Sequence, residues 1–123
     1  MLRCRSCFAA LAICGTLVGC GTKQNPGPST ASCDQTANVS FASQIQPLLE
    51  RYCTSCHSTA VANRNGAPVT INFDSYTAAA ANADRANTRI QAGTMPPANA
   101  NHPVTDTDKC LFQAWVDQGA TQN

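Results

Sequence analysis

Cys53-Thr54-Ser55-Cys56-His57 is the stretch on which the reading of this chain turns. Its two thiols stand three positions apart and an imidazole follows at once, a spacing suited to gripping one side of a large planar group and meeting its centre from below. The residues ahead of it are helical in pattern: Phe41, Ile45, Leu48, Leu49 and Tyr52 recur at helical spacing, and the Ser40 hydroxyl can cap the free amides of the first turn. Pro47 lies inside this segment, and proline lacks an N–H and crowds the turn before it. The helix is therefore predicted to kink or to restart with Pro47 in a first-turn position.

Beyond His57, residues Ser58 to Thr70 read as loop, with Asn63, Asn65, Gly66 and Pro68 as breakers, and Val69 to Phe73 could form a short extended piece. Asp74 or Ser75 caps a second helical region through Ile90. It is rich in Ala but interrupted by Asn82, Asn87 and Thr88, so two short helices or one irregular helix are expected. Gly93 ends it, and the prolines in Thr94-Met95-Pro96-Pro97 hold the next segment extended. A final helix has Thr105 as cap, Asp106 and Asp108 in the first turn and Gly119 past its end, with Leu111, Phe112, Trp115 and Val116 on its inner face.

The chain of 123 residues is enough for about one domain. Only 12% of residues are charged and the formal net charge is +1, so no basic surface for nucleic acid and no acidic solvating tail is expected. Aromatic residues make up 6%, a thin supply for a small core that a large apolar cofactor could supplement. At the N-terminus, Arg3 and Arg5 precede an apolar stretch from Cys7 to Val18, too short for the roughly 20 residues that cross a bilayer. It ends Leu17-Val18-Gly19-Cys20, which resembles the lipobox of bacterial lipoproteins. That resemblance implies that residues 1–19 are a removed signal peptide and that Cys20 carries lipid, with a conventional secretory signal cut elsewhere as the alternative. Residues 20–39 are then the lipidated N-terminus and flexible linker, its Gly21 to Ser32 stretch rich in Pro, Gly and small polar residues, and residues 40–123 are the folded domain.

C-x-x-C-H is the spacing of c-type haem attachment, in which two thioethers form at the porphyrin vinyls and the imidazole ligates the iron. A thioredoxin-like redox pair would require alternating strands and helices, and a zinc site would need His102 beside Cys53, Cys56 and His57. Once the signal is removed, Met95 is the only methionine left, and its stiff Pro-Pro setting suits a thioether held against iron. It is the expected second axial ligand, with His102 or an open position as alternatives.

With these pieces in place, the chain resembles the class I cytochrome c family from Phe41 to Ala120. The resemblance rests on the helix leading into Cys53-Thr54-Ser55-Cys56-His57, on Gly93-Thr94-Met95-Pro96-Pro97, and on the ending Leu111-Phe112-Gln113-Ala114-Trp115-Val116-Asp117-Gln118-Gly119-Ala120. It looks most like small haem domains with an M-P-P ligand segment on lipoproteins or redox enzymes. It implies an all-α cytochrome c-like fold of about three to five short helices around one covalently bound haem c, with Trp115 and Phe112 facing Phe41, Ile45 or Leu49. The implied function is electron transfer between a redox donor and acceptor, by a protein that is not itself an enzyme. The lipobox resemblance implies export and a lipid anchor on the periplasmic side of a bacterial membrane, with the outer membrane expected from Gly21 after Cys20. A haem-binding subunit or sensor domain of a larger oxidoreductase is the alternative, and a small haem enzyme is a third.

The remaining cysteines, Cys33 and Cys110, are left as the unassigned pair in an oxidising compartment, and a disulfide between them is expected. The helix crossing implied by the family could bring them together. Two separate buried thiols are the alternative.

Overall fold

The computed structural model describes Cys33 and residues 37–123; the signal-like segment 1–19, Cys20 and the stretch Gly21 to Ser32 lie outside the described residues. Ser40 opens the first helical segment, its hydroxyl accepting from the Ser43 amide at 3.4 Å. Pro47 has no N–H with which to continue an α-helical ladder, and the turn ahead of it is wound wider. Phe41–Ile45 is a π-helical turn in which the Gln46 amide reaches the Phe41 carbonyl, and α1 (Gln46–Tyr52) restarts behind it with Pro47 in its first turn.

The Ala-rich region is two helices, α2 (Tyr76–Ala81) and α3 (Ala83–Gln91). Ser75 caps α2 by accepting from the Ala78 amide at 3.3 Å. Asn82 breaks the pair apart by turning its side-chain amide back onto the Ala78 carbonyl at 2.8 Å, competing with the backbone as short polar side chains do. Gly93 follows with φ +65, a left-handed turn that ends the helical region and favours glycine. A short 3-10 turn, Ala98–Ala100, leads on to α4 (Asp106–Asp117), where the Thr105 hydroxyl accepts from the Asp108 amide at 3.1 Å. All regular structure among the described residues is helical, so the domain is all-α.

The expected extended piece at Val69 to Phe73 is instead a turn leading into irregular chain. Ile71 donates its amide to the Pro68 carbonyl at 3.1 Å, and no strand stands among the described residues for the segment to pair with.

α4 packs against both α3 and the π-helical turn. Phe112, Trp115, Ile45 and Leu49 are fully buried. The Phe41 ring lies between Tyr76 and Trp115, with centroid separations of 5.1 and 5.7 Å, and Phe112 meets Trp115 at 5.4 Å. Trp115 also satisfies its indole N–H on the Thr121 carbonyl at 3.0 Å. Truncating such a side chain typically costs about 3–5 kcal/mol.

The packed domain reaches ahead of Ser40. Val39 is buried, its amide donates to Gln118 Oε1 at 2.9 Å, and Gln118 Nε2 donates to the Ala37 carbonyl at 2.9 Å. Further out, the Cys33 and Cys110 sulfurs stand at disulfide-bonding distance, with Cα atoms 4.9 Å apart.

Candidate functional site

The last turn of α1 hands the chain to the Cys-His segment without a break. The Cys53 amide still reaches the Leu49 carbonyl at 2.8 Å, and the Cys53 carbonyl in turn accepts from the amides of Cys56 at 3.1 Å and His57 at 2.8 Å. These bonds wind Cys53, Cys56 and His57 into one tight turn on the wall of a cavity of about 410 Å³, within the size range of small-molecule and cofactor sites. Leu48, Phe73, Ile90 and Val104 contribute to its apolar lining.

His57 is oriented by a single bond. Its Nδ1 lies 3.1 Å from the Ile71 carbonyl oxygen, which can only accept, so Nδ1 carries the proton and Nε2 keeps the ring's lone pair. Phe73 stands edge-on to the imidazole at 5.5 Å and its amide donates to the His57 carbonyl at 2.8 Å. Arg64 holds the Ile71 carbonyl in place. Its guanidinium donates to the carbonyls of Ser58, Ala67, Pro68 and Ile71, the last two at 2.8 and 2.9 Å, and so clips the whole loop beneath the histidine.

The two cysteines differ in surroundings. Cys53 is packed against the core, and burial, reinforced by the neighbouring Cys56, pushes its thiol up to about 12. Cys56 instead receives the Asn65 side-chain amide at 3.4 Å and the Ser55 hydroxyl at 3.9 Å.

Met95 lines the same cavity, delivered by the Gly93 turn. The Arg89 carbonyl accepts from the amides of Thr94 at 3.0 Å and Met95 at 3.3 Å, which ties the methionine's backbone to the end of α3. Met95 remains 42% exposed, so the cavity is open at its side. His102 is exposed and takes no part in the lining. Among the described residues no group of three or more His, Cys, Asp and Glu is gathered to hold a metal ion, and the zinc arrangement through His102 does not assemble. Cys20 lies outside the described residues.

Sequence reasoning did not find Arg64, Ile71, Asn65, Arg85 or Arg89 as neighbours of the site. Ile71 acts through its backbone carbonyl and Arg64 binds only backbone carbonyls, partners that leave no residue-type signal, whereas the four-residue spacing of Arg85 and Arg89 on a helix was visible.

Comparison with protein-family models, with curated proteins and with solved structures finds no match for this chain.

Proposed function

We propose that the chain is a cytochrome c-like electron carrier that holds one haem c covalently through Cys53 and Cys56, with His57 and Met95 as axial ligands. The observation that carries this reading is the convergence of four side chains, from segments separated by about forty residues of sequence, on one apolar cavity. The donor set fits the group: two thiols for the two vinyls, a histidine whose Nδ1 is already engaged, and a thioether from a separate segment. When bound, haem supplies one-electron chemistry at its iron.

The protein's own part is to bind, orient and shield. The Ile71 carbonyl fixes the imidazole tautomer and ring orientation, and the Arg64 clip keeps that carbonyl from drifting. Leu48, Phe73 and Ile90 exclude water from the cavity floor, which favours the lower charge of the reduced site. The open side at Met95 gives an electron from a docked partner a short route in. Electron transfer asks no acid or base of the polypeptide. Export, lipid at Cys20 and attachment to the periplasmic face of a membrane complete the proposal.

The test is a redox-titrated optical spectrum of the full chain expressed with a haem-maturation system, paired with intact mass. Covalent haem and a weak near-infrared sulfur-to-iron band in the ferric protein are expected, and Met95→Ala should abolish that band. A polypeptide without covalently added haem would refute the reading, and an unchanged band in Met95→Ala would refute the ligand.

A further inference from the structure

The charged side chains lining the cavity are all arginines: Arg64, Arg85 and Arg89. This is unlike the described residues as a whole, where the carboxylates Glu50, Asp74, Asp84, Asp106, Asp108 and Asp117 outnumber the cations Arg51, Arg64, Arg85, Arg89 and Lys109. Arg64 is spent on four backbone carbonyls. Arg85 and Arg89 are not. They stand four residues apart on α3, on the stripe that begins at Asn82, and neither guanidinium has a hydrogen-bond or ion-pair partner among the described residues; the ion pair found there joins Lys109 to Asp106.

Two unpartnered guanidinium forks at one side of an apolar cavity define what its occupant must present there. Both residues are exposed, so water satisfies them when nothing is bound, and a carboxylate is the group that replaces that water without loss, taking an arginine fork through two parallel charge-assisted bonds. We propose that Arg85 and Arg89 are the anion-holding side of the cavity and receive the two propionate carboxylates of the haem, fixing which edge of the macrocycle faces α3. This rests on the haem reading above and adds to it a recognition site on α3. The acidic face of a protein partner is the competing destination for the same charges. The cavity-lining position of both residues favours the occupant over a partner.

The experiment is the midpoint potential of the full haem-loaded chain, followed from about pH 5 to about pH 8, for the native protein, Arg85→Gln/Arg89→Gln and the control Lys109→Gln. Carboxylates paired with arginine stay ionised throughout this window, so the native protein and the control should show little pH dependence. In the double variant the unpaired carboxylates take up protons more readily when the iron is reduced, because the reduced site carries one positive charge fewer. The equilibrium constant for reduction should then fall by about threefold or more as pH rises across the window. Arg85→Lys/Arg89→Lys, which keeps the charges and loses the forks, should show a smaller dependence and serves if the first variant accumulates poorly.

A flat profile in the variants overturns the assignment, including the case in which they merely bind an acidic partner protein more weakly. Covalent haem with a flat profile removes the arginine assignment alone, whereas absence of covalent haem removes the haem reading together with it.

Discussion

Breaking the link between Cys33 and Cys110 should be the most costly change outside the aromatic core. The two cysteines are separated by 77 residues, nearly the whole folded domain. In the chain-entropy treatment, a loop of this length restricts the unfolded ensemble by about 4 kcal/mol. Measured at the unfolding midpoint, that corresponds to a fall of roughly 15–30 °C for a domain of this size. Val39 and Ala37 retain their hydrogen bonds to Gln118, so the native fold should survive while its margin shrinks. The assay is thermal unfolding of the haem-loaded chain with Cys33→Ser, Cys110→Ser and both together. Either single change removes the same bond, so all three variants should lose the same amount. A double variant that loses the sum of the two singles would mean two independent thiols, and unchanged midpoints would mean that the link constrains nothing.

Asp74 accepts from the Thr59 hydroxyl, the Thr59 amide and the Ser58 hydroxyl, and these bonds, the Thr59 hydroxyl foremost, lower its carboxyl from 3.8 to about 2. A group lowered on folding stabilises above its unfolded pKa, so this contribution is complete above about pH 4 and is lost as pH falls toward about 2. Asp74→Asn should flatten that part of the acid-stability profile, measured by urea midpoints against pH; an unaltered profile would refute it. Arg64→Ala releases four carbonyls of the loop beneath His57 and should cost about 2–4 kcal/mol with a broadened haem spectrum; wild-type stability would show that the clip is idle. Cys20→Ser should release the protein from the membrane fraction, and continued membrane association with no lipid mass on the wild type would exclude the anchor.

The helix boundaries were legible because their causes are local. Ser40, Ser75 and Thr105 cap amides three residues on, and Pro47 restarts the helix in which it sits. Asn82 divides the Ala-rich region, and Gly93 and Gly119 take the left-handed angles that end their segments. Cys53, Cys56 and His57 were legible as a chemical unit for the same reason, since one helical turn holds all three. The segment Val69 to Phe73 was misread because its residues favour an extended chain, and an extended chain needs a neighbour that only the folded arrangement could have supplied.

What the tertiary structure decided is which distant groups meet. The Ile71 carbonyl under His57, the reach of Arg64 across its loop, the Gln118 amide that brings Val39 into the domain and the approach of Cys33 to Cys110 depend on chain closure over long separations. So does the arrival of Arg85, Arg89 and Met95 at the cavity that Cys53 and His57 line. Capping and proline geometry act within a turn or two and are written in residue types. A carbonyl looks alike at every position, and only packing selects the one that faces a given side chain.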